Sequence, residues 1–80
     1  MRVTTFAPNQ LLITDGTTNV FQSYDTKIAQ QEPGKATLLD PKWNCSKTTM
    51  RYCAQFLNVS GKKEIEKGIQ SGKYIVQSLN

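Results

Sequence analysis

The sequence predicts a small α+β domain in the order β-β-β-α-α-β, an antiparallel sheet packed against two helices. Three observations predict it. Residues 1–40 alternate apolar and polar types between turn signals, residues 46–72 switch to a three- and four-residue period, and residues 73–79 return to alternation. The length agrees, because 80 residues make one domain with a radius of gyration of roughly 12 Å. Within it, 1–40 is strand-rich, 41–72 is helical and basic, and 73–79 is a final strand, with no repeat and no linker.

Each element has its own reason. Residues 10–14 are a short apolar run, and Asp15-Gly16 after them is a hairpin signal. Residues 19–29 are rich in β-branched and aromatic types and predict one strand with Val20, Tyr24, Thr26 and Ile28 on its inward face. Glu32-Pro33-Gly34-Lys35 places Pro second and Gly third, as a type II turn requires, and 36–39 follows as a third strand. Asp40-Pro41 closes it, since the residue before proline leaves helical space.

Ser46 then caps an amphipathic helix to about Leu57. Met50, Cys53 and Leu57, flanked by Thr49, Tyr52 and Phe56, supply its inward stripe, and Asn58 ends it. Ser60 is the expected cap of a second helix whose inward residues are Ile65 and Ile69. Gly72 terminates it in the left-handed conformation, with Lys67 near the carbonyl end.

Composition narrows the function. With 38% hydrophobic and 20% charged residues, the chain falls within globular usage and outside the disordered and collagen-like ranges. A core this small stabilises by about 3–5 kcal/mol, which a partner or a dimer would supplement. Histidine is absent, and with it the usual general base near neutral pH and the commonest metal ligand. Cys45 and Cys53 cannot build a structural zinc site alone. If Cys53 is helical, their spacing leaves them more than about 10 Å apart, beyond disulfide reach, so two free, buried thiols are expected. No metal and no cofactor are expected.

Glu64 and Glu66 stand two apart and point to different sides of a helix, so they form no catalytic pair. Gly61-Lys62-Lys63 lacks the rest of a phosphate-binding loop, and Asp15-Gly16-Thr17-Thr18 is too short for a calcium loop. No enzyme is predicted. No apolar run reaches signal-peptide or membrane-spanning length, so an intracellular, cytoplasmic protein without membrane contact is expected. The two glycosylation sequons at Asn44 and Asn58 then read as helix-start chemistry.

Charge points to a partner. Residues 1–40 carry 3 cations against 4 anions and residues 41–80 carry 7 against 2, so the whole net charge of +4 comes from the second half. Residues 49–72 resemble a helix-turn-helix, with Ala54, Val59 and Ile65 at the packing positions. Its outward face would be Lys62, Lys63, Glu66, Lys67 and Gln70, with Lys73 just beyond. Lysines there suit phosphate contact better than base readout.

Trp43, Ser46, Thr48-Thr49, Tyr52 and Gln55-Phe56-Leu57, with Ile69-Gln70-Ser71-Gly72-Lys73-Tyr74, resemble a family of small uncharacterised proteins encoded by bacteriophages and mobile elements. The resemblance covers about three quarters of the chain and implies an accessory protein acting in a bacterial host. Size, an empty catalytic inventory and that resemblance together predict an inhibitor that binds a host or phage protein complex, for example a defence inhibitor of the anti-CRISPR kind. Its expected contact residues are Lys47, Arg51, Lys62, Lys63, Lys67 and Lys73, with Trp43 and Tyr74 as exposed aromatic anchors. DNA or RNA binding through residues 49–72 is the alternative, and a structural role in an assembly is a third. The expected state is a monomer or a small homo-oligomer.

Overall fold

Alternation over the first half produces five strands. A computed structural model describes residues 1–80. Strands β1 (Arg2–Ala7), β2 (Gln10–Asp15), β3 (Thr18–Ser23), β4 (Thr26–Gln31) and β5 (Thr37–Leu39) follow one another, and a 3-10 turn at Pro41–Asn44 leads into helices α1 (Lys47–Leu57) and α2 (Lys62–Gln70). Strand β6 (Tyr74–Val76) ends the order. The six strands form one sheet in sequence order, antiparallel except that β5 and β6 run parallel. The helical crossover between those two strands delivers β6 in the same direction as β5, as a connection of this length permits.

The α+β class, both helices and the closing strand match the expectation, while the strand count, the antiparallel pairing throughout and one strand face do not. Residues 2–7, apolar only at Val3, Phe6 and Ala7, form an edge strand held by β2. Residues 19–29 divide into two strands at Tyr24-Asp25. Tyr24 adopts φ 56°, the left-handed region that two-residue hairpin loops demand, and its N–H donates to the Asn9 carbonyl at 2.7 Å. A Tyr-Asp pair is not a usual turn signal, because glycine or asparagine normally supplies that backbone. The inward side of β3 is Phe21 and Ser23 rather than Val20, and Tyr24 is 63% exposed. Ile28 is buried as expected, but as the extra residue of a bulge: Ala29 stands opposite Phe21 and Lys27 opposite Gln22. The bulge lets Ile28 and Ala29, adjacent in sequence, both be buried.

Ser46 caps α1 as its sequence position predicts, its Oγ accepting from the Thr49 N–H at 3.1 Å. Thr49 Oγ1 shares a further 3.1 Å hydrogen bond with Ser23 Oγ on β3, so the cap also ties the helix to the sheet. Asn58 ends α1 with φ 59°. Helix α2 departs from the expectation at its start, where Gly61 rather than Ser60 is the N-cap and no side chain accepts from the first turn. Gly72 follows α2 with φ +83°.

Both helices lie on one face of the sheet. Phe56 of α1 stacks on Phe21 at 6.0 Å, and Gly68 of α2 lies against the ring of Tyr74 on β6. Between the layers sit Phe21, Ile28, Leu39, Trp43, Cys53, Leu57 and Ile65, with Ala29, Ala54 and Tyr74 completing the core. The radius of gyration is 11.5 Å. No helix is long and apolar enough to cross a membrane.

The chain end is tied down by one carboxylate. Asp40, 3% exposed, accepts from the Lys42 N–H at 3.0 Å through Oδ2, and from the Leu79 N–H at 2.9 Å and Asn80 Nδ2 at 3.1 Å through Oδ1. Asn80 in turn pairs with the backbone of Lys27. That pairing continues the β4 edge where the short β5 stops.

Candidate functional site

The helical layer carries the cations. Lys47, Arg51, Lys62, Lys63, Lys67 and Lys73 are all exposed, as the amphipathic pattern predicts. Acidic side chains are interspersed with them. Lys67 lies 3.9 Å from Glu64, and α2 as a whole holds Lys62, Lys63 and Lys67 against Glu64 and Glu66, a net of 3 − 2 = +1.

The two aromatic anchors are not available. Trp43 is 6% exposed and Tyr74 is 4% exposed, and both belong to the core. Trp43 lies in the 3-10 turn Pro41–Asn44, and its indole packs into the core with Leu39, Cys53 and Leu57 among the buried residues. Tyr74 faces inward because it is paired with Thr37 on the helix side of the sheet. What remains at its position is Lys73, whose ammonium sits 5.5 Å from the Tyr74 ring centroid.

A cleft of about 610 Å³ opens instead where α1, the 58–61 turn and β1 meet. Met50 and Tyr52 of α1, Phe6 of β1 and Val59 of the turn form its apolar lining, and Arg51 and Lys62 contribute its charge. All four apolar residues are half-buried. The Arg51 guanidinium carbon lies 6.0 Å from the Tyr52 ring centroid. Ser60, Gly61 and Lys62 place the start of α2, which no side chain caps, in the lining of the same cleft. The arrangement is an apolar trough with cationic and N–H donor groups and no opposing carboxylate.

Met50 and Tyr52 were legible as helix residues near the apolar stripe. Phe6 was not, because it lies in a segment too polar to read as a strand. Lys47, Lys63, Lys67 and Lys73 lie outside the cleft.

Nucleophiles and metal ligands are placed elsewhere. Cys53 is buried against the sheet, and burial pushes its thiol up to about 12, so it stays protonated and unreactive at neutral pH. Cys45 is exposed rather than buried, because it follows the 3-10 turn and precedes the cap of α1. Both thiols are free. No three Cys, Asp or Glu side chains converge anywhere in the chain.

The helix-turn-helix-like segment does form, with Ala54 and Ile65 buried and Val59 half-buried beneath a four-residue turn. Residues 1–73 match the model of a family of unknown function, DUF8033. The chain belongs to the DUF8033 family. In this DUF8033 member the matched region takes in β1 to β5 and both helices, including every residue of the cleft, and stops before β6. No curated protein and no solved structure matches the chain.

Proposed function

We propose that this DUF8033 protein is a non-enzymatic binding protein whose cleft between α1, the 58–61 turn and β1 takes an acidic, partly apolar segment of a target protein, the action expected of an inhibitor of a host protein or defence complex. The cleft carries the reading. Its apolar lining of Phe6, Met50, Tyr52 and Val59 beside Arg51, Lys62 and the uncapped N–H groups of α2 suits an aliphatic or aromatic side chain next to a carboxylate. A partner carboxylate there would cap α2, for which the chain provides no side chain of its own.

The charge of α2 supports this over nucleic acid. A recognition helix of net +1 with two glutamates on it is poorly suited to phosphates. The test is an affinity capture from bacterial lysate with and without nuclease, comparing the wild-type chain with a double variant, Arg51→Glu with Lys62→Glu. Both positions are exposed, so the fold should persist. The expected result is a defined protein complex that survives nuclease with the wild type and is lost with the variant. Capture that disappears on nuclease treatment would instead support the helix-turn-helix reading.

A further inference from the structure

The two edges of the sheet are unlike. Strand β6 is three residues long and follows Lys73, a short, charge-flanked edge of the kind that resists pairing with another chain. Strand β1 is six residues long, holds no lysine or proline, and carries its only charge at Arg2. Its bulge lies at the far end, between Thr5 and Ala7, so Arg2–Thr5 is regular, and all of these residues are exposed. A regular edge without such protection leaves a row of backbone donors and acceptors open to a further strand.

The register identifies those groups. Asp15 and Thr18 close the two-residue loop between β2 and β3, which turns the backbone N–H and C=O of Leu11, Ile13 and Asp15 toward β3. The alternate residues Leu12 and Thr14 therefore bond to β1, where their partners are Thr4 and Arg2. Val3 and Thr5 are left with N–H and C=O directed away from the sheet. Side chains alternate as well. Those of Val3 and Thr5 point to the open face with Ile13, whereas those of Arg2, Thr4 and Phe6 point to the helix side, Thr4 opposite Leu12 and Phe6 against Phe21 at 6.0 Å. Helix α1 packs over β2 and β3 and leaves the helix side of β1 open. That opening is the cleft, with Phe6 on one wall and Met50, Arg51 and Gln55 on the other.

We propose that the segment taken by the cleft binds as an added strand, extended along β1, with its backbone bonded to Val3 and Thr5 and alternate side chains entering the cleft. The inference rests on the cleft being the binding site and adds the form of what binds there. An extended chain is the occupant that both features require. It alone presents donors and acceptors at the two-residue spacing of Val3 and Thr5, and laid against β1 it places every second side chain beside Thr4 and Phe6, next to α1. Charge sets the composition. Arg2 stands on the helix side of β1, Arg51 and Lys62 line the cleft, and Asp15, the acid on neighbouring β2, points to the open face as Ile13 does. The helix-side residues of the added strand are thus acidic or apolar.

Peptides selected from a random display library on the immobilised full chain supply the probe, and amide hydrogen exchange with affinity measurements supplies the test. The bound peptide should slow exchange at the Val3 and Thr5 amides. Thr5→Pro removes one outward N–H and no ladder bond, a change that edge strands tolerate, and should weaken the peptide about tenfold with an unchanged far-ultraviolet dichroism spectrum. Val3→Pro removes the other outward N–H and serves the same purpose if the spectrum of Thr5→Pro changes. Thr5→Val, which keeps the N–H, should bind like the wild type, and Arg51→Glu with Lys62→Glu should lose the peptide. Full affinity in the proline variant, or no protection at Val3 and Thr5, overturns the added strand, while loss in the double glutamate variant leaves the cleft reading standing. Affinity indifferent to the double glutamate variant overturns the cleft reading and this inference with it, as does a selection that returns no peptide.

Discussion

Asp40 shows how one side chain can hold a chain end. Its carboxylate meets three donors while almost fully buried. Burial alone pushes this carboxyl up, but the N–H groups of Leu79 and Lys42 and the amide of Asn80 outweigh that, and its pKa lies below the ordinary value. The sign of the linkage follows. A carboxyl with a folded value below its unfolded value near 3.9 contributes stability that is fully present above about pH 4 and is lost as pH falls through the folded value. Asp40→Asn should therefore cost about 1–3 kcal/mol at pH 7, or a melting temperature lower by several degrees. The gap between variant and wild type should narrow as pH drops below about 4. A gap that is constant from pH 7 to pH 2 would show that the charge of Asp40 is not what secures the tail.

Gly68 is a second residue whose identity the packing dictates. A Cβ at this position would overlap Cδ2 and Cε2 of Tyr74, and that ring is fixed between α2 and the sheet. Gly68→Ala, which favours a helix by about 1 kcal/mol on propensity, should here destabilise by about 1–3 kcal/mol, read as a lower thermal midpoint. Combining it with Tyr74→Leu, which removes the planar ring edge, should recover part of the loss. Neither Asp40 nor Gly68 stands out in the sequence, where one resembles a pre-proline turn residue and the other an ordinary helix glycine. Their roles depend on residues 39 and 6 positions away, Leu79 and Tyr74, and no local pattern encodes such contacts.

At the scale of elements, what was legible followed from local chemistry. Helix α1 could be read at both ends, since Ser46 and Asn58 satisfy the orphan N–H and carbonyl groups from within a few residues of the helix itself. Its inward stripe of Cys53 and Leu57 could be read from the same short range. The hairpin between β3 and β4 could not, because it turns at Tyr24 and Asp25 without glycine or proline, and the Asn9 carbonyl that accepts from the Tyr24 N–H comes from another hairpin. The inward face of β3 was lost with that turn: unbroken alternation from Val20 to Ile28 is shifted by the turn and by the bulge at Ile28. Trp43 and Tyr74 were misplaced for a related reason. A large aromatic beside a basic segment reads as an anchor, yet in a small domain each such ring is needed inside, where it contributes about 150–250 Å² of buried area.

The molecule as a whole has two unlike faces. One is basic and helical, with a cleft where an apolar trough meets Arg51, Lys62 and the uncapped start of α2. The other is the open sheet, crossed by Val3, Ile13, Val20, Leu38 and Ile75. A core of ten buried residues leaves little stability in reserve for an 80-residue chain. The net positive charge of the second half was visible in the sequence. That Arg51 and Lys62 border one cleft while Lys63 and Lys67 do not was invisible, because it depends on the angle at which the 58–61 turn joins two helices.

Site-specific photocrosslinking in nuclease-treated bacterial lysate tests the central claim most directly. A photoreactive side chain is placed at Gln55, an exposed position in the cleft lining, and in a separate variant at Thr17, an exposed loop position away from it. The account expects a discrete protein adduct from position 55, none from position 17, and loss of the adduct when Arg51 and Lys62 are both changed to glutamate. Equal adducts from both positions, or no adduct from position 55 while the folded protein is present, would contradict it.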